Sequence, residues 1–228
     1  MNRAARAVAT LCLLALTAPA SAQPAGTSAP EPATLKGESG QTRKRLLEIQ
    51  EKLKAGQTAD AADDLQRVLD ESGGDLVLVE ADRAVPARAV VHQLLTKLPP
   101  DTLKAYQNRI DRPAAQLLAR AKESRDVRPL YQLLDRYFVS RPADEALLLL
   151  GDLLFERGEF PAAADAWRRL LPDADADTAY PISKTDPALV RARLVLAAAF
   201  AGDGLRAKSL FDEFASKHPG ATGTLGGK

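Results

Sequence analysis

The chain has 228 residues, 46% of them hydrophobic and only 5% aromatic, with 31 basic side chains against 30 acidic ones. That apolar content is enough for a sizeable core, and the near-zero net charge leaves no basic footprint for nucleic acid. Its single cysteine, Cys12, rules out an intramolecular disulfide framework.

The first 22 residues carry Asn2, Arg3 and Arg6, then the apolar run AVATLCLLAL, and close on Ala20-Ser21-Ala22 before Gln23. A basic start, a short apolar run and an A-x-A site form the pattern of a secretory signal. The run is broken by Pro19 and falls short of the ~20 apolar residues that a membrane-spanning helix needs. Cys12 lies inside the run and not at its end, which speaks against a lipid-bearing cysteine. Export to the periplasm or cell envelope is the expectation, with no transmembrane segment after cleavage. The mature chain would then hold no cysteine and take its stability from packing alone. Loss of Arg3 and Arg6 leaves 29 basic residues against 30 acidic. Residues 23–42 are rich in Pro, Ala, Ser and Gly without a period, and read as a flexible tether.

From residue 43 onward the pattern is helical, and Ala and Leu dominate. Arg43 to Glu71 predicts two helices around Gly56, with Leu46, Leu47, Ile49 and Leu53 on the first and Ala61, Leu65, Val68 and Leu69 on the second. Gly73-Gly74 ends the pair. Leu76-Val77-Leu78-Val79 reads as a short extended piece or small ribbon, too little for a sheet. Ala87 to Leu98 predicts a further helix, stopped by Pro99-Pro100. Asp101 is expected to cap a helix carrying Leu103, Tyr106 and Ile110. Separate helices are expected from Pro113 to Ser124 and from Val127 to Phe138, the latter burying Leu130, Leu133, Leu134, Tyr137 and Phe138. Asp186-Pro187 is expected to cap and start another.

The most regular stretch is ALLLLGDLLFERGEFPAAADAWRRLLP, Ala146 to Pro172. Leu147, Leu150 and Leu154 form one apolar stripe, and Phe160, Ala163, Ala164, Trp167, Leu170 and Leu171 form another. Gly158 can close the first helix and Pro161 suits the first turn of the second. Gly151 and Ala163 lack bulk where the two backbones would approach, and Trp167 would fill the gap towards a neighbouring pair. Leu150-Gly151, Leu154, Gly158, Phe160, Ala163 and Trp167 resemble, in register, the tetratricopeptide repeat, a helical hairpin of about 34 residues. Aligning Ala207 with Ala163 puts Leu194 on Leu150, Gly202 on Gly158 and Phe211 on Trp167, an offset of 44 residues. The clearest repeats span 144–175 and 188–219, and Gly56, Ala61, Leu65 and Val68 mark a degenerate third. The resemblance implies an all-α, tetratricopeptide-like hairpin solenoid over residues 43–219, with 220–228 as a tail or linker.

A second resemblance covers residue 43 to the C-terminus. LLTKLPPDTLKAY, AAQLLARAKESRDV and LLDRYFVSRPADEALLLLGDLLFERGEFPAAADAWRRLL look like the helical N-terminal region of exported bacterial proteins, common in planctomycetes, whose C-terminal part is a PQQ-binding-like β-propeller. Leu98-Pro99-Pro100 with Tyr106, and Arg136-Tyr137-Phe138, are its most distinctive pieces. In that family the propeller resembles an outer-membrane assembly factor and quinoprotein dehydrogenases. The present residues hold one tryptophan and no series of strand-length repeats. The resemblance therefore implies either the helical part of a longer propeller protein or a relative without the propeller. It points to a non-catalytic interaction or scaffolding module for protein or peptide partners in the envelope, with no cofactor of its own. The alternative is an accessory domain of a PQQ-dependent dehydrogenase.

Sharper sites fare poorly. Asp173, Asp175 and Asp177 have calcium-loop spacing, but Thr178 and Lys184 stand where Gly and Glu are needed. A solvated acidic loop is the better reading. His92 and His218 have no His or Cys at ligand spacing, and His92 reads as a helix-face residue. What remains is a groove. The repeat resemblance implies that the first helix of each pair lines a concave face, which would place Glu145, Leu148, Asp152 and Phe155 there, then Leu189, Ala192 and Leu196. Leu148 and Phe155 equally suit packing against the preceding helices.

Overall fold

The computed structural model describes residues 39–80, 83–173 and 178–222. The signal sequence, nearly all of the tether, and Asp175 and Asp177 lie outside these residues. Nine helices and one two-stranded ribbon make up the described residues. No described helix is long and apolar enough to cross a membrane.

Helix α1 (Gly40–Lys54) starts three residues earlier than the apolar pattern suggests, because the Ser39 hydroxyl accepts a bond from the Thr42 N–H and caps it. α2 (Thr58–Ser72) folds back on it. Ion pairs at both ends, Lys52–Asp64 at 2.5 Å and Arg45–Glu71 at 3.0 Å, fix the antiparallel pairing. The apolar run forms β1 (Leu76–Leu78), which pairs with β2 (Ala84–Pro86), Val77 opposite Val85. The ribbon is tied to α1 by the Ser39 N–H on the Leu76 carbonyl.

α3 (Ala87–Leu95) is shorter than the pattern suggests. Leu98 is nevertheless buried, in the turn that follows. The larger departure is α4 (Pro100–Ser124), one continuous helix of 25 residues where two were expected. Asp101 lies inside its first turn, not at the cap, where its negative charge suits the helix dipole. Pro113 does not break the helix, because Leu103, Tyr106, Ile110, Ala114, Leu118 and Ala121 continue one buried stripe straight across it. A proline inside a helix costs about 3 kcal/mol. Each large apolar side chain on that stripe contributes about 1.5–3 kcal/mol by burial, so packing wins.

α5 (Arg128–Tyr137) leads into a buried connection, Phe138–Val139–Ser140. The carbonyls of this connection and of the last turn of α5 must be satisfied, and here three elements do so. His92 of α3 bonds through Nε2 to the Asp135 carbonyl, Gln107 of α4 donates to that of Val139, and the Tyr180 hydroxyl donates to that of Ser140. Phe138 is stacked on His92 at 5.0 Å, and the Arg169 guanidinium lies 4.2 Å from the centre of its ring. The motif Arg136-Tyr137-Phe138 thus sits at a structural junction.

α6 (Pro142–Glu156) and α7 (Phe160–Arg168) form the next pair, and α8 (Pro187–Phe200) and α9 (Gly204–Lys217) the last. Gly151 has a role other than close approach to Ala163. A Cβ there would fall inside the indole of Trp167, which lies across α6 and donates to the Leu148 carbonyl. Asp186 caps α8 as expected, accepting from Ala188 N–H.

The three pairs share one turn. Gly56, Gly158 and Gly202 have φ of 78°, 78° and 80°. Around each, the glycine N–H bonds to the carbonyl three residues back, and the next N–H to the carbonyl five back: Gln57 to Lys52, Glu159 to Leu154, Asp203 to Ala198. This is the Schellman closure, which favours glycine because its central residue is left-handed. The third, degenerate copy around Gly56 has the same turn as the other two.

Candidate partner-binding face

The first helices of the last two pairs, and the end of α4 before them, are joined side to side by their polar residues. Lys122 of α4 pairs with Glu145 of α6 at 2.5 Å, and Arg125 with Glu156 at 2.5 Å. Arg193 of α8 reaches back to Asp152 of α6, with Nε at 2.9 Å. Phe155 of α6 meets Phe160, Trp167 and Phe200, at 5.1, 5.7 and 5.4 Å between ring centres.

These contacts decide what each expected groove residue does. Asp152 and Phe155 form the seam that holds α8 in place, and Phe155 also meets Phe160 and Trp167 of its own pair. Leu148 is half-buried and receives Trp167 on its carbonyl. Glu145 is exposed and engaged with Lys122. Leu189, Ala192 and Leu196 lie instead on the outward face of α8, where no other described element covers them fully; Leu189 is 43% exposed. Ala199 extends this face and Phe200, 63% exposed, borders it at the seam. Neither was singled out from the sequence. The 44-residue offset places Ala199 on Phe155, which was the available signal.

α8 is apolar over most of its surface. Arg191 and Arg193 are the only charged residues among its 14. Both turn inward: Arg193 to Asp152, and Arg191, only 8% exposed at its side chain, to Asp173 and Glu213 at 2.5 Å each. Lys217 joins the same two carboxylates. Its hydrogen bonds, followed by the charge of Arg191, hold both acids below the ordinary carboxylate range. A helix apolar all round normally has neighbours all round, and among the described residues none covers the outward face of α8 fully.

The strap from Thr178 to Asp186 positions α8. The Asp144 carboxylate in the first turn of α6 accepts from the Ser183 hydroxyl, the Lys184 N–H and the Thr185 hydroxyl. The Tyr180 N–H bonds to the Arg169 carbonyl. The residues that separate the two repeats therefore run back over α6 and brace the α5–α6 junction.

In the hollow beside the start of α4 several polar groups are committed to the fold. A cavity of about 650 Å³ beside the start of α4 is lined by Leu98, Leu103 and Ile182, with Gln107 bonded to Val139 and Arg141 to Asn108 and Asp111. The ring nitrogen of His92 is committed to the Asp135 carbonyl, and burial, reinforced by the charge of Arg169, lowers its pKa to about 4. Asp173 is taken up by Arg191 and Lys217. Among the described residues, no three His, Cys, Asp or Glu side chains gather as metal ligands. No family model, curated protein or solved structure matches this chain.

Proposed function

We propose that this chain is an exported, non-catalytic helical-repeat module of the cell envelope that binds a protein or peptide partner through the outward face of α8. The observation that carries the reading is α8 itself: both of its charges are used internally, leaving an apolar, partly exposed face. Exposed apolar faces rimmed by polar groups mark interaction sites. The shared glycine turns and the side-by-side first helices support stacking of the pairs as a tetratricopeptide-like solenoid. The signal-like N-terminus supports export, and the resemblance of residues 43–228 supports origin in a β-propeller protein.

The test is partner capture from the native envelope fraction by wild type, by Leu189→Glu, and by Leu47→Glu, which changes an exposed leucine on α1. Partners retained by wild type and Leu47→Glu but lost from Leu189→Glu, at unchanged melting temperature, support the reading. Equal capture by all three would refute it. The intact mass of the native protein decides the propeller part: a mass near that of residues 23–228 argues against it.

A further inference from the structure

The hollow of about 650 Å³ beside the start of α4 joins an apolar wall to polar groups that the fold leaves unused. Leu98 and Leu103 form the wall on the α4 side, and Pro181 and Ile182 of the strap extend it. Ile182 is 64% exposed, so the wall is open to an apolar group from outside. Gln107 also lines the space and is only 9% exposed. Its Nε2 donates to the Val139 carbonyl at 2.8 Å. That bond fixes which way the amide lies, and it leaves Oε1 as an acceptor with no partner among the described residues. An acceptor so deeply set calls for a donor. Asn108 is the complement: its Oδ1 accepts from Arg141, which leaves the Nδ2 hydrogens to donate. Arg141 is itself paired with Asp111, so its charge is answered. Lys104, on the same lining, has neither an ion pair nor a hydrogen bond among the described residues.

We propose that this hollow takes an extended peptide in which an apolar residue stands beside an acidic one. A peptide unit carries both an N–H and a carbonyl. The N–H donates to Gln107 Oε1 and the carbonyl accepts from Asn108 Nδ2. The apolar side chain covers Leu98, Leu103 and Ile182, and the neighbouring carboxylate meets Lys104. The volume lies within the ~300–1,000 Å³ of ligand sites. A basic ligand is repelled by Lys104, and a wholly apolar one leaves the Gln107 oxygen dry and unpaired. No residue of α8 lines the hollow, so the inference goes beyond the proposed function and does not rest on it.

Selection from a peptide library tests this directly. Random peptides of about six residues, ~20 Å when extended, are displayed on phage and selected in parallel on the full chain as wild type, Lys104→Glu, Ile182→Ser and Leu189→Glu. Lys104, Ile182 and Leu189 are exposed, so the variants should fold, and an unchanged melting temperature verifies it. The wild-type pool should be enriched about tenfold over the input in an apolar residue next to Asp or Glu. Lys104→Glu should lose that enrichment and favour an apolar residue next to Lys or Arg. Ile182→Ser should weaken the apolar preference, and Leu189→Glu should select the same pool as wild type. A wild-type pool without apolar–acidic pairs, or the same pool on Lys104→Glu, overturns the proposal. A pool lost only from Leu189→Glu also overturns it, and leaves the α8 reading standing.

Discussion

Gly151→Ala is the substitution for which packing and propensity give opposite answers. By propensity alone it should stabilise α6, since alanine is favoured over glycine inside a helix by about 0.5–1 kcal/mol. Packing reverses the sign. The new methyl would occupy the position of the Trp167 indole, which is only 2% exposed and has no room to retreat. Overpacking a core costs about 1–3 kcal/mol, and a displaced indole also forfeits its bond to the Leu148 carbonyl, about 0.5–1.5 kcal/mol. The net expectation is a loss of about 2 kcal/mol, or a melting temperature lower by about 4–8 °C for a domain of this size. Trp167 is the only tryptophan in the chain, so its fluorescence reads the cause as well as the effect. The variant should emit at longer wavelength while still folded, as the indole moves towards water. Gly204→Ala, which meets nothing within 4 Å, is the control and should be neutral or slightly stabilising. If Gly151→Ala matched wild type in both melting temperature and emission, the account of Trp167 as the filler of the α6 glycine gap would be wrong.

Alanine at Gly56, Gly158 or Gly202, each at φ near +80°, should cost a similar ~1–2 kcal/mol in chemical denaturation, because the three turns are equivalent. His92 should give a pH signature. Its folded pKa of about 4 lies below the ordinary value of 6.5, so the unfolded chain takes up the proton first and stability is lost as pH falls. Between pH 6.5 and 5 this amounts to about 1.5 kcal/mol, and His92→Phe should remove that slope from urea melts. Tyr180→Phe deletes the hydroxyl that serves the buried Ser140 carbonyl; a loss of about 1–2 kcal/mol, with faster amide exchange along the strap, is expected.

The helices were legible where a local signal exists. Gly158 and Gly202 marked the turns, Asp186 marked a cap, and the stripe Leu130-Leu133-Leu134 marked a buried face. Pro113 misled because a breaker is local whereas the stripe that overrules it runs through the whole of α4. Gly151 was seen as small, but not what fills its space, since the indole comes from 16 residues away. Polar pairs over long separations left no trace: nothing in the sequence links Asp152 to Arg193, or Asp144 to Ser183. For the same reason the groove positions on α6 and α8 looked alike from the repeat register. Only the contacts separate Asp152 and Phe155, which hold the seam, from Leu189 and Leu196, which face outward. The charge-free face of α8 followed from knowing where its two arginines point.

Thiol labelling of Ala199→Cys, in the Cys12→Ser background, most directly tests whether the α8 face is used. Labelling is timed in the native envelope and again in dilute purified protein, with Ser216→Cys, exposed on α9, as reference. The account predicts that the cysteine at position 199 reacts freely when dilute and is protected several-fold in the envelope, while the reference does not change. Equal rates at position 199 in both settings would mean that nothing covers the face where the protein works, and would contradict the account.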